Sequence, residues 1–475
     1  MASPRLDLPE SDVLVIGSGP NGLSAAIMMA KAGCSVTVLE ARETIGGGAR
    51  SAELTLPGFV HDVFSAVHPL AAASPFFSGL PLRTYGLEWI HSPAPLAHPL
   101  DDGSAVMLER SVDETAKSLG RDGDCYHDLF APLVKKWSPL SAGFLHPLAF
   151  PADPIAMARF GWRALRAATS VANFFSGERA QALFAGMAAH SALPLDKSPS
   201  AAFGIVLELA GHSVGWPIPR GGAQQITNAL ASYLESLGGR IFTAMPVESV
   251  DQLPSSRALL ADITPRQLLA IAGHRLPRRY RQKLEKYRYG PGAFKMDWAL
   301  DRPIPWKSPD CWRAATVHVG GTLDEIAVSE RLPWQNSVSK KPFVLLAQPS
   351  LFDETRTPPG QHTAWAYCHV PNGYRGDVSE NIENQIERFA PGFRKSILQR
   401  SVLNPAQLEA ANPNLVGGDV NGGAATLGQL FFRPTIATYA TPVPKLYLCS
   451  ASTPPGGGVH GMCGYGAARM ALKKI

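Results

Sequence analysis

The sequence has few of the features that mark several large classes of protein. Its six cysteines are scattered over 475 residues, and none form a C-x-x-C pair or a spacing suited to a metal site. Charged residues make up 17% of the chain, and the 44 basic and 39 acidic side chains leave a net charge of +5 that no Lys/Arg-rich tract concentrates. These shortages argue against a disulfide scaffold and a metal centre, and they predict no nucleic-acid partner.

Long apolar runs and common hydrolase motifs are also missing. Residues 1–10 lack the apolar core of a signal peptide, and no stretch has the uninterrupted length of a spanning helix. We therefore expect a cytoplasmic protein, with peripheral membrane contact as an alternative. The chain contains no H-E-x-x-H, Walker A motif or Ser/His/Asp order. Its 45% hydrophobic content predicts an ordered protein, and its length predicts two joined domains.

The most informative stretch runs from Val13 to Arg50. An apolar run leads into Gly17, Gly19 and Gly22, followed by small residues, a second β-branched run and the acid Glu40. This order predicts a βαβ dinucleotide site, in which the glycines let a pyrophosphate approach the backbone at the N-terminus of a helix. Glu40, about twenty residues further on, is placed to accept the ribose hydroxyls.

A second glycine turn follows directly. Gly46, Gly47 and Gly48 precede Ala49 and Arg50, which is more than a nicotinamide half-site requires. A cation at this place suits the longer FAD, with Arg50 as a charge partner. The predicted cofactor is therefore FAD. Because no second G-x-G-x-x-G offers a seat for NAD(P)H, oxygen, a quinone or another protein is left as the electron acceptor.

Three segments carry a family resemblance: G-S-G-P-N-G-L from Gly17, E-A-R from Glu40 and G-G-G-A-R-S from Gly46. They resemble the N-terminal signature of flavoproteins related to phytoene desaturase. The chain is most similar to the branch of pyridine nucleotide-disulfide oxidoreductase domain protein 2, distantly related to amine oxidases and the Rab GDP-dissociation inhibitor. The resemblance implies an α/β fold with a discontinuous Rossmann-like FAD-binding domain, an inserted mixed-sheet substrate domain and a helical lid.

This fold implies a division of the chain into three parts. Residues 11–85, 215–275 and 425–475 are predicted to form the FAD-binding domain, 86–150 and 276–424 the substrate-binding domain, and 151–214 a helical segment over the substrate entrance. Within 153–190, apolar side chains recur at steps of three and four, and Arg159, Arg163 and Arg166 share the opposite face. That face is either a solvated stripe on a core-packing helix or a surface that contacts an anionic membrane.

The closing stretch, Leu446 to Leu472, is the second informative region. A predicted strand ends in small residues, and glycines at 456–458 precede a small-residue helix. This pattern resembles the family's C-terminal flavin motif. The resemblance implies that the backbone amides around Gly458, Val459 and His460 face the pyrimidine end of the flavin. His460 itself is either a catalytic candidate or one hydrogen-bonded loop histidine among thirteen.

Lys295 lies in the alternating run from Tyr289 to Leu300, which predicts a strand. In amine-oxidase-like relatives a lysine on the comparable strand reaches flavin N5 through a water, so the resemblance makes Lys295 a candidate acid or base. The alternative is a snorkelling lysine with its head in water. The resemblance also implies a backbone contact of Val247 with the adenine. Val247 ends a predicted strand from Arg240, before a hairpin compressed into residues 251–261.

The predicted site has two catalytic candidates, Lys295 and His460, and no metal ligand. The predicted function is that of an FAD-dependent dehydrogenase or desaturase that takes a hydride from a hydrophobic small molecule, an isoprenoid or polyene. A flavin amine oxidase and a non-catalytic lipid-binding chaperone like the GDP-dissociation inhibitor are the alternatives. The predicted cofactor-binding residues are Gly17, Ser18, Gly19, Pro20, Asn21, Gly22, Glu40, Ala41, Arg42, Gly46, Gly47, Gly48, Ala49, Arg50, Val247, Gly457, Gly458, Val459 and His460.

Overall fold

The predicted βαβ unit forms at the N-terminal end of the chain. The computed structural model describes residues 5–147 and 150–475. Strand β1 (Val13–Ile16) leads through the glycine turn into α1 (Pro20–Lys31) and on to β2 (Val36–Leu39). Both strands are buried along their whole length, as expected for strands covered on both faces. Proline is favoured at the first helical position, where its missing N–H leaves no hydrogen bond unmade.

Further strands and helices follow along the described residues. The strands are β3 (Ser51–Glu53), β4 (Val60–Asp62), β5 (Trp89–Ile90), β6 (Ala94–Pro99), β7 (Ala105–Leu108), β8 (Ile218–Pro219), β9 (Arg240–Phe242), β10 (Ala258–Ala261), β11 (Gly292–Leu300), β12 (Ala314–Val319), β13 (Val344–Ala347), β14 (His362–Val370), β15 (Ile397–Leu403) and β16 (Leu446–Leu448). The α-helices are α2 (Pro69–Ala72), α3 (Pro75–Ser78), α4 (Val112–Ser118), α5 (Gly123–Val134), α6 (Trp137–Phe144), α7 (Pro154–Ala164), α8 (Ala168–Ala172), α9 (Glu178–Ala189), α10 (Ser200–Ser213), α11 (Gln224–Ser236), α12 (Pro265–Ala272), α13 (Arg278–Glu285), α14 (Leu323–Arg331), α15 (Ser379–Phe389), α16 (Pro405–Ala411), α17 (Leu427–Phe431) and α18 (Met462–Leu472).

The first large sheet is parallel and has the order β16-β10-β1-β2-β9. Its strands come from the N-terminal, middle and C-terminal parts of the chain, so the sheet is complete only when these parts meet. Helices α1, α11 and α18 cover one face, and α12 and α13 cover the other. The carboxyl ends of β1, β2 and β10 lie at one edge, which is where open parallel sheets bind ligands.

The second large sheet is mixed and has the order β15-β11-β14-β13-β12-β6-β7. Neighbouring strands are antiparallel except β12 and β6, which run parallel. Helix α15 packs on one face, and the helices of residues 112–213 contribute to the core on the other. The predicted α/β fold class, with a Rossmann-like parallel sheet and a mixed sheet, is confirmed. The residue boundaries of the three predicted parts stay a prediction.

Residues 153–190 form three helices, α7, α8 and α9, with breaks between them. Most of the predicted apolar face is buried, including Phe160, Val171 and Phe175. The opposite face of α7 differs from the prediction, because it is not purely cationic. Ile155 and Trp162 project from it with exposed fractions of 71% and 70%.

Two local predictions near Val247 are wrong. The strand that begins at Arg240 ends at Phe242, because Ala244 takes a positive φ of 54° that interrupts the regular extended backbone. Residues 251–261 do not form a hairpin. They contain β10, which pairs in parallel with β1 on one side and β16 on the other. This short segment is therefore an interior strand of the parallel sheet.

Candidate active site

The first glycine turn brings the backbone of α1 unusually close to β1. Gly17 has a φ of +93°, a conformation that side-chain-bearing residues rarely adopt. A Cβ atom on Gly22 would lie 2.0 Å from the carbonyl oxygen of Gly17, and one on Gly19 would lie 2.9 Å from Oδ2 of Asp262. Only glycine fits at these positions, so the three glycines perform the turn, approach and packing roles that their spacing predicts.

Glu40 follows β2, and its side chain is hydrogen-bonded to the first glycine turn. Its Oε2 accepts hydrogen bonds from the backbone N and the Oγ of Ser18, at 2.9 and 2.6 Å, and its Oε1 accepts one from the backbone N of Arg42 at 3.0 Å. The side chain is only 8% exposed but lines the cavity described below. Since a carboxylate oxygen can accept more than one hydrogen bond, Glu40 keeps acceptor capacity for a ligand hydroxyl.

Asp262 is a site residue that the sequence reasoning missed. It follows β10, and its Oδ2 accepts a hydrogen bond from the backbone N of Gly22 at 3.0 Å. Burial raises the pKa of this carboxyl to about 7, and the charge of Glu40 adds to the effect. The misreading of residues 251–261 as a hairpin hid the signal, because an acid directly after a parallel strand points to the ligand edge of the sheet.

The second glycine turn packs against the first. Gly46 and Gly47 both have positive φ angles, and a Cβ on Gly47 would lie 2.8 Å from the Cα of Gly19. Arg50 donates from Nη2 to the carbonyl oxygen of Ala411 at 2.8 Å, while its Nε has no hydrogen-bond partner among the described residues. Burial lowers the pKa of this guanidinium. A half-buried cation with an unused donor fits a binding site for an anionic group.

A single cavity of about 540 Å³ joins the two sheets. At one end it is lined by Glu40, the two glycine turns and Val247, and the backbone N of Met245 donates to the carbonyl oxygen of Glu40. At the other end it is lined by Lys295 and by apolar side chains of α10 and the mixed sheet. Most of the predicted cofactor-binding residues therefore surround one continuous space.

The packing of α18 on α1 brings the C-terminal glycine loop to this cavity. A Cβ on Gly464 of α18 would lie 1.8 Å from the carbonyl oxygen of Asn21 in α1, so the two helices meet backbone to backbone. Gly457, Gly458 and Val459, which precede α18, line the cavity although they lie near the opposite end of the chain from the first turn. The two informative regions of the sequence thus meet at one site.

His460 lies behind this wall and is not among the residues that line the cavity. Its Nδ1 accepts a hydrogen bond from the backbone N of Met462 at 3.0 Å, and its carbonyl oxygen accepts one from Oγ of Ser74 at 2.6 Å. Burial lowers the pKa of the imidazole to about 4. These contacts match the alternative of a hydrogen-bonded loop histidine, and the geometry does not place His460 as a catalytic group.

Lys295 lies at the cavity wall with 2% of its surface exposed, so it is not a snorkelling lysine. Its Nζ donates to Oδ2 of Asp297, two residues further along β11. Burial lowers the pKa of Lys295 and raises that of Asp297 to about 6. Behind the pair, Nδ1 of His61 lies 3.6 Å from Oδ1 of Asp297. The arrangement can hold a proton beside the cavity.

Comparisons with known proteins agree with this geometry. A model of the NAD(P)-binding Rossmann-like domain matches residues 15–77. Pyridine nucleotide-disulfide oxidoreductase domain-containing protein 2 of Mus musculus is 26% identical over 98% of this chain and 94% of its own length. Phytoene dehydrogenase of Streptomyces griseus is 25% identical over 95% of this chain and 92% of its own length.

Solved structures share the fold. Putrescine oxidase bound to putrescine superposes with a TM-score of 0.63 at 18% identity, over 98% of both chains. An oxidoreductase of Methanosarcina mazei gives a TM-score of 0.63 at 16% identity, over 97% of this chain and 99% of its own. The homologues and structural neighbours are oxidoreductases of the flavin-dependent desaturase and amine oxidase type, which confirms the resemblance predicted from the sequence.

Proposed function

We propose that this chain, an oxidoreductase of the flavin-dependent desaturase and amine oxidase type, binds FAD and takes a hydride from a hydrophobic substrate. The observation that carries the proposal is the continuous cavity, which begins at Glu40 and the glycine turns and ends among apolar side chains beside Lys295. A dinucleotide end and a substrate end in one space are what such a reaction requires.

The residues present fit FAD. Glu40 retains acceptor capacity for ribose hydroxyls, and the glycine turn with the N-terminus of α1 presents backbone N–H groups to a pyrophosphate. The unpartnered Nε of Arg50 is available for an anionic group. Gly457, Gly458 and Val459 would lie along the ring system. Bound FAD would supply hydride acceptance at a ring nitrogen, and oxygen, a quinone or another protein would reoxidise it.

The substrate end of the cavity favours an uncharged molecule. Phe203, Leu207, Trp216 and Leu345 form much of its wall. Among the described residues that line the cavity, the only carboxylates are Glu40 and Asp262, both at the glycine turn. A protonated amine would therefore have no counter-ion there, and its burial would be costly. This observation supports a dehydrogenase or desaturase acting on an isoprenoid or polyene over an amine oxidase.

The chain's own residues would orient the substrate, exclude water and hold a proton. The apolar wall removes the substrate from solvent, and the buried Lys295–Asp297 pair lies where a proton released by C–H oxidation can be accepted. Burial lowers the pKa of Lys295 and raises that of Asp297 to about 6, which favours an acid–base role for the pair.

Peripheral membrane contact is a separate proposal for a protein that would otherwise reside in the cytoplasm. It is favoured by the outward face of α7, where exposed Ile155 and Trp162 lie beside Arg159. The guanidinium of Arg166 stacks 4.7 Å from the centre of the Trp162 ring. Apolar and cationic side chains on one exposed face suit an anionic lipid surface. No helix among residues 5–147 and 150–475 combines the length and hydropathy needed to cross a bilayer.

The test is the flavin content of the purified protein. Wild-type protein should show bound-flavin absorption, and Glu40→Ala or Gly22→Val should lose it, since the first removes the ribose acceptor and the second fills the close contact with Gly17. Glu43→Ala, at an exposed acid of the same loop, should keep it. A colourless protein that FAD cannot reconstitute would overturn the proposal.

Anaerobic mixing separates the two enzyme functions. Loss of flavin colour with isoprenoid or polyene probes supports a desaturase or dehydrogenase. Loss of colour with primary amines alone would instead identify an amine oxidase. It would contradict the inference that the substrate end, which has no carboxylate among its lining residues, disfavours a protonated amine. A protein that binds FAD but transfers no hydride from either class would favour the chaperone alternative.

A further inference from the structure

Two histidines lie at the cavity beside the C-terminal glycine loop: the carbonyl oxygen of His190 is 3.5 Å from Nδ2 of Asn421, and Asn421 packs against Gly457. His190, which follows α9, lines the cavity, and His318 of β12 lies behind it. Their Nε2 atoms are 2.9 Å apart. The indole of Trp216 meets the imidazole of His190 edge-on, with ring centres 5.6 Å apart, and so restricts its orientation. None of these residues contributes to the predicted cofactor site.

The hydrogen bond between the two imidazoles determines which atom of His190 carries a proton. Burial lowers the pKa of His190 to about 3 and the pKa of His318 in the same direction, so both rings are neutral. One ring must then donate and the other accept. Nδ1 of His318 is buried without a partner among the described residues. A buried bare acceptor is tolerated more often than an orphaned N–H, so we assign the proton of His318 to Nε2.

This assignment leaves a hydrogen-bond donor, Nδ1 of His190, on a residue that lines the cavity. With His318 donating, Nε2 of His190 is the acceptor and its proton is on Nδ1. In the part of the chain that the structure describes, that Nδ1 has no hydrogen-bond partner. A second polar atom lies nearby on the same sheet face: Oγ1 of Thr316 is buried, has no described partner, and belongs to a residue that lines the cavity.

The register of the mixed sheet gives the distance from His318 to Lys295. Lys295 is opposite Tyr367, Tyr367 is opposite Leu345, and Leu345 is opposite His318. The same three strand steps separate Asp297 from Thr316. With strands about 4.8 Å apart, His318 lies roughly 14 Å across the sheet from Lys295. The wall between them is apolar and aromatic.

We propose that His190, positioned by His318 and assisted by Thr316, binds a neutral oxygen atom of the substrate. The substrate class is an uncharged, mainly apolar molecule that carries a carbonyl, ether or hydroxyl oxygen. A pure hydrocarbon would leave the His190 N–H and the Thr316 hydroxyl without partners, at a cost in binding free energy. The inference rests on the proposed function only for the reacting end.

Three probes that differ at one carbon test the proposal: 2-undecanone, 2-methylundec-1-ene and undecan-2-amine, each delivered from cyclodextrin and titrated calorimetrically into the protein as purified. The ketone and the alkene have the same shape, but only the ketone carries an acceptor. We expect the ketone to bind about threefold to tenfold more tightly than the alkene. Equal binding of the two, or tightest binding of the amine, would overturn the proposal.

Variants identify the residues responsible. His190→Leu should remove the preference for the ketone and leave the alkene affinity unchanged or higher, and Thr316→Val should reduce the preference. Phe203→Leu is the matched control, because it alters the same wall without a polar group and should weaken both ligands by the same factor. If His190→Leu also weakens both equally, His190 acts only in packing and the proposal fails.

Two further measurements keep this test independent. If His190→Leu does not fold, as judged by its thermal transition, Thr316→Val and the wild-type ketone-to-alkene ratio still decide the matter. Flavin absorption is recorded for every sample. A protein without flavin that nevertheless prefers the ketone would contradict the proposed function alone, and a flavin-bearing protein without the preference would contradict the oxygen site alone.

Discussion

Lys295 and Asp297 show how burial converts an ordinary ion pair into a proton-holding unit. Both side chains are almost fully enclosed, and desolvation moves the pKa of the lysine down and that of the aspartic acid up to about 6. His61 behind them is neutral, because burial lowers its pKa to about 3. Burial thus disfavours the charged form of each partner, whereas an exposed pair would remain fully charged.

Replacing the pair should slow the reaction without loss of the flavin. Removal of Lys295 alone would leave a buried acid unpaired, so the variant of choice is Lys295→Met with Asp297→Asn. We expect the rate of anaerobic flavin reduction to fall about 10²- to 10⁴-fold, the usual contribution of a positioned acid or base. Lys340→Met, on the exposed surface, is the control. An unchanged rate with normal flavin content would remove Lys295 from the mechanism.

Asp262 should make the stability of the flavin-free protein depend on pH. Its pKa is raised from 3.8 to about 7 by burial, so the folded state binds a proton more tightly than the unfolded state. The stabilisation is complete below about pH 4 and is lost as pH rises to about 7, with an upper limit of about 4 kcal/mol. Asp262→Asn should remove this dependence.

The measurement is the difference in unfolding free energy between wild type and Asp262→Asn at pH 5 and pH 8. Because the same buried histidines titrate in both proteins, their contribution cancels in the difference. The wild type should lose more stability than the variant between the two values. Parallel pH profiles would mean that Asp262 is ionised in the folded protein throughout.

At the scale of elements, the contact between α1 and α18 joins the two ends of the chain at the site. The Cβ position of Gly464 overlaps the carbonyl oxygen of Asn21, at 1.8 Å, and that of Gly461 lies 2.1 Å from Oγ of Ser24. Backbone cannot give way as a flexible side chain can. Any larger residue must separate the helices and with them the two halves of the cavity wall.

Gly464→Val should therefore destabilise the protein by about 3 kcal/mol or more and reduce its flavin content together. Gly161→Ala in α7 is the matched control, since no atom lies within 4 Å of its Cβ position. An open glycine in a helix should gain about 0.5–1 kcal/mol when it becomes alanine. Chemical denaturation measures both. A Gly464→Val protein of normal stability would show that the helices can separate freely.

The exposed face of α7 carries the membrane prediction. Charge reversal of Arg159, Arg163 and Arg166 to Glu should lower binding to vesicles of phosphatidylserine and phosphatidylcholine about 10- to 100-fold, since each cation near an anionic surface contributes about 1 kcal/mol. Flotation measures the binding. Reversal of Arg278, Arg279 and Arg281, three exposed arginines of α13, is the control for net charge. Equal loss in both variants would point to non-specific attraction.

At the scale of the whole molecule, the ligand cavity lies between the parallel and the mixed sheet. A ligand that fills it contacts strand ends and loops from the N-terminal, middle and C-terminal parts of the chain. Binding to the folded state alone must stabilise that state by mass action. The stability of the protein and the occupancy of the cavity are therefore linked.

FAD added to flavin-free protein at a hundred times its dissociation constant should raise the unfolding free energy by about 2.7 kcal/mol. FMN at the same concentration should stabilise less, because it lacks the adenosine that would occupy the Glu40 and Val247 end of the cavity. Thermal unfolding with each cofactor gives the comparison. Equal stabilisation by FAD and FMN would mean that the adenosine of FAD makes no favourable contact with the protein.

The sequence by itself determined the dinucleotide turn, since the conformational demands of Gly17, Gly19 and Gly22 and the acid after β2 are local in the chain. It also predicted the strand that carries Lys295. Local patterns could not show that residues 258–261 pair between β1 and β16, because that pairing depends on partners far away in sequence. Asp262 was missed for this reason.

Tertiary structure alone decided which side chains face the cavity. Lys295 and His460 are similar candidates in the sequence, yet the fold puts the first at the cavity wall and the second behind it. His190 and His318 are 128 positions apart in the sequence, and they meet only because α9 packs on the mixed sheet. Composition and periodicity describe the chain locally, whereas burial and distance, which set the chemistry of these groups, are properties of the assembled fold.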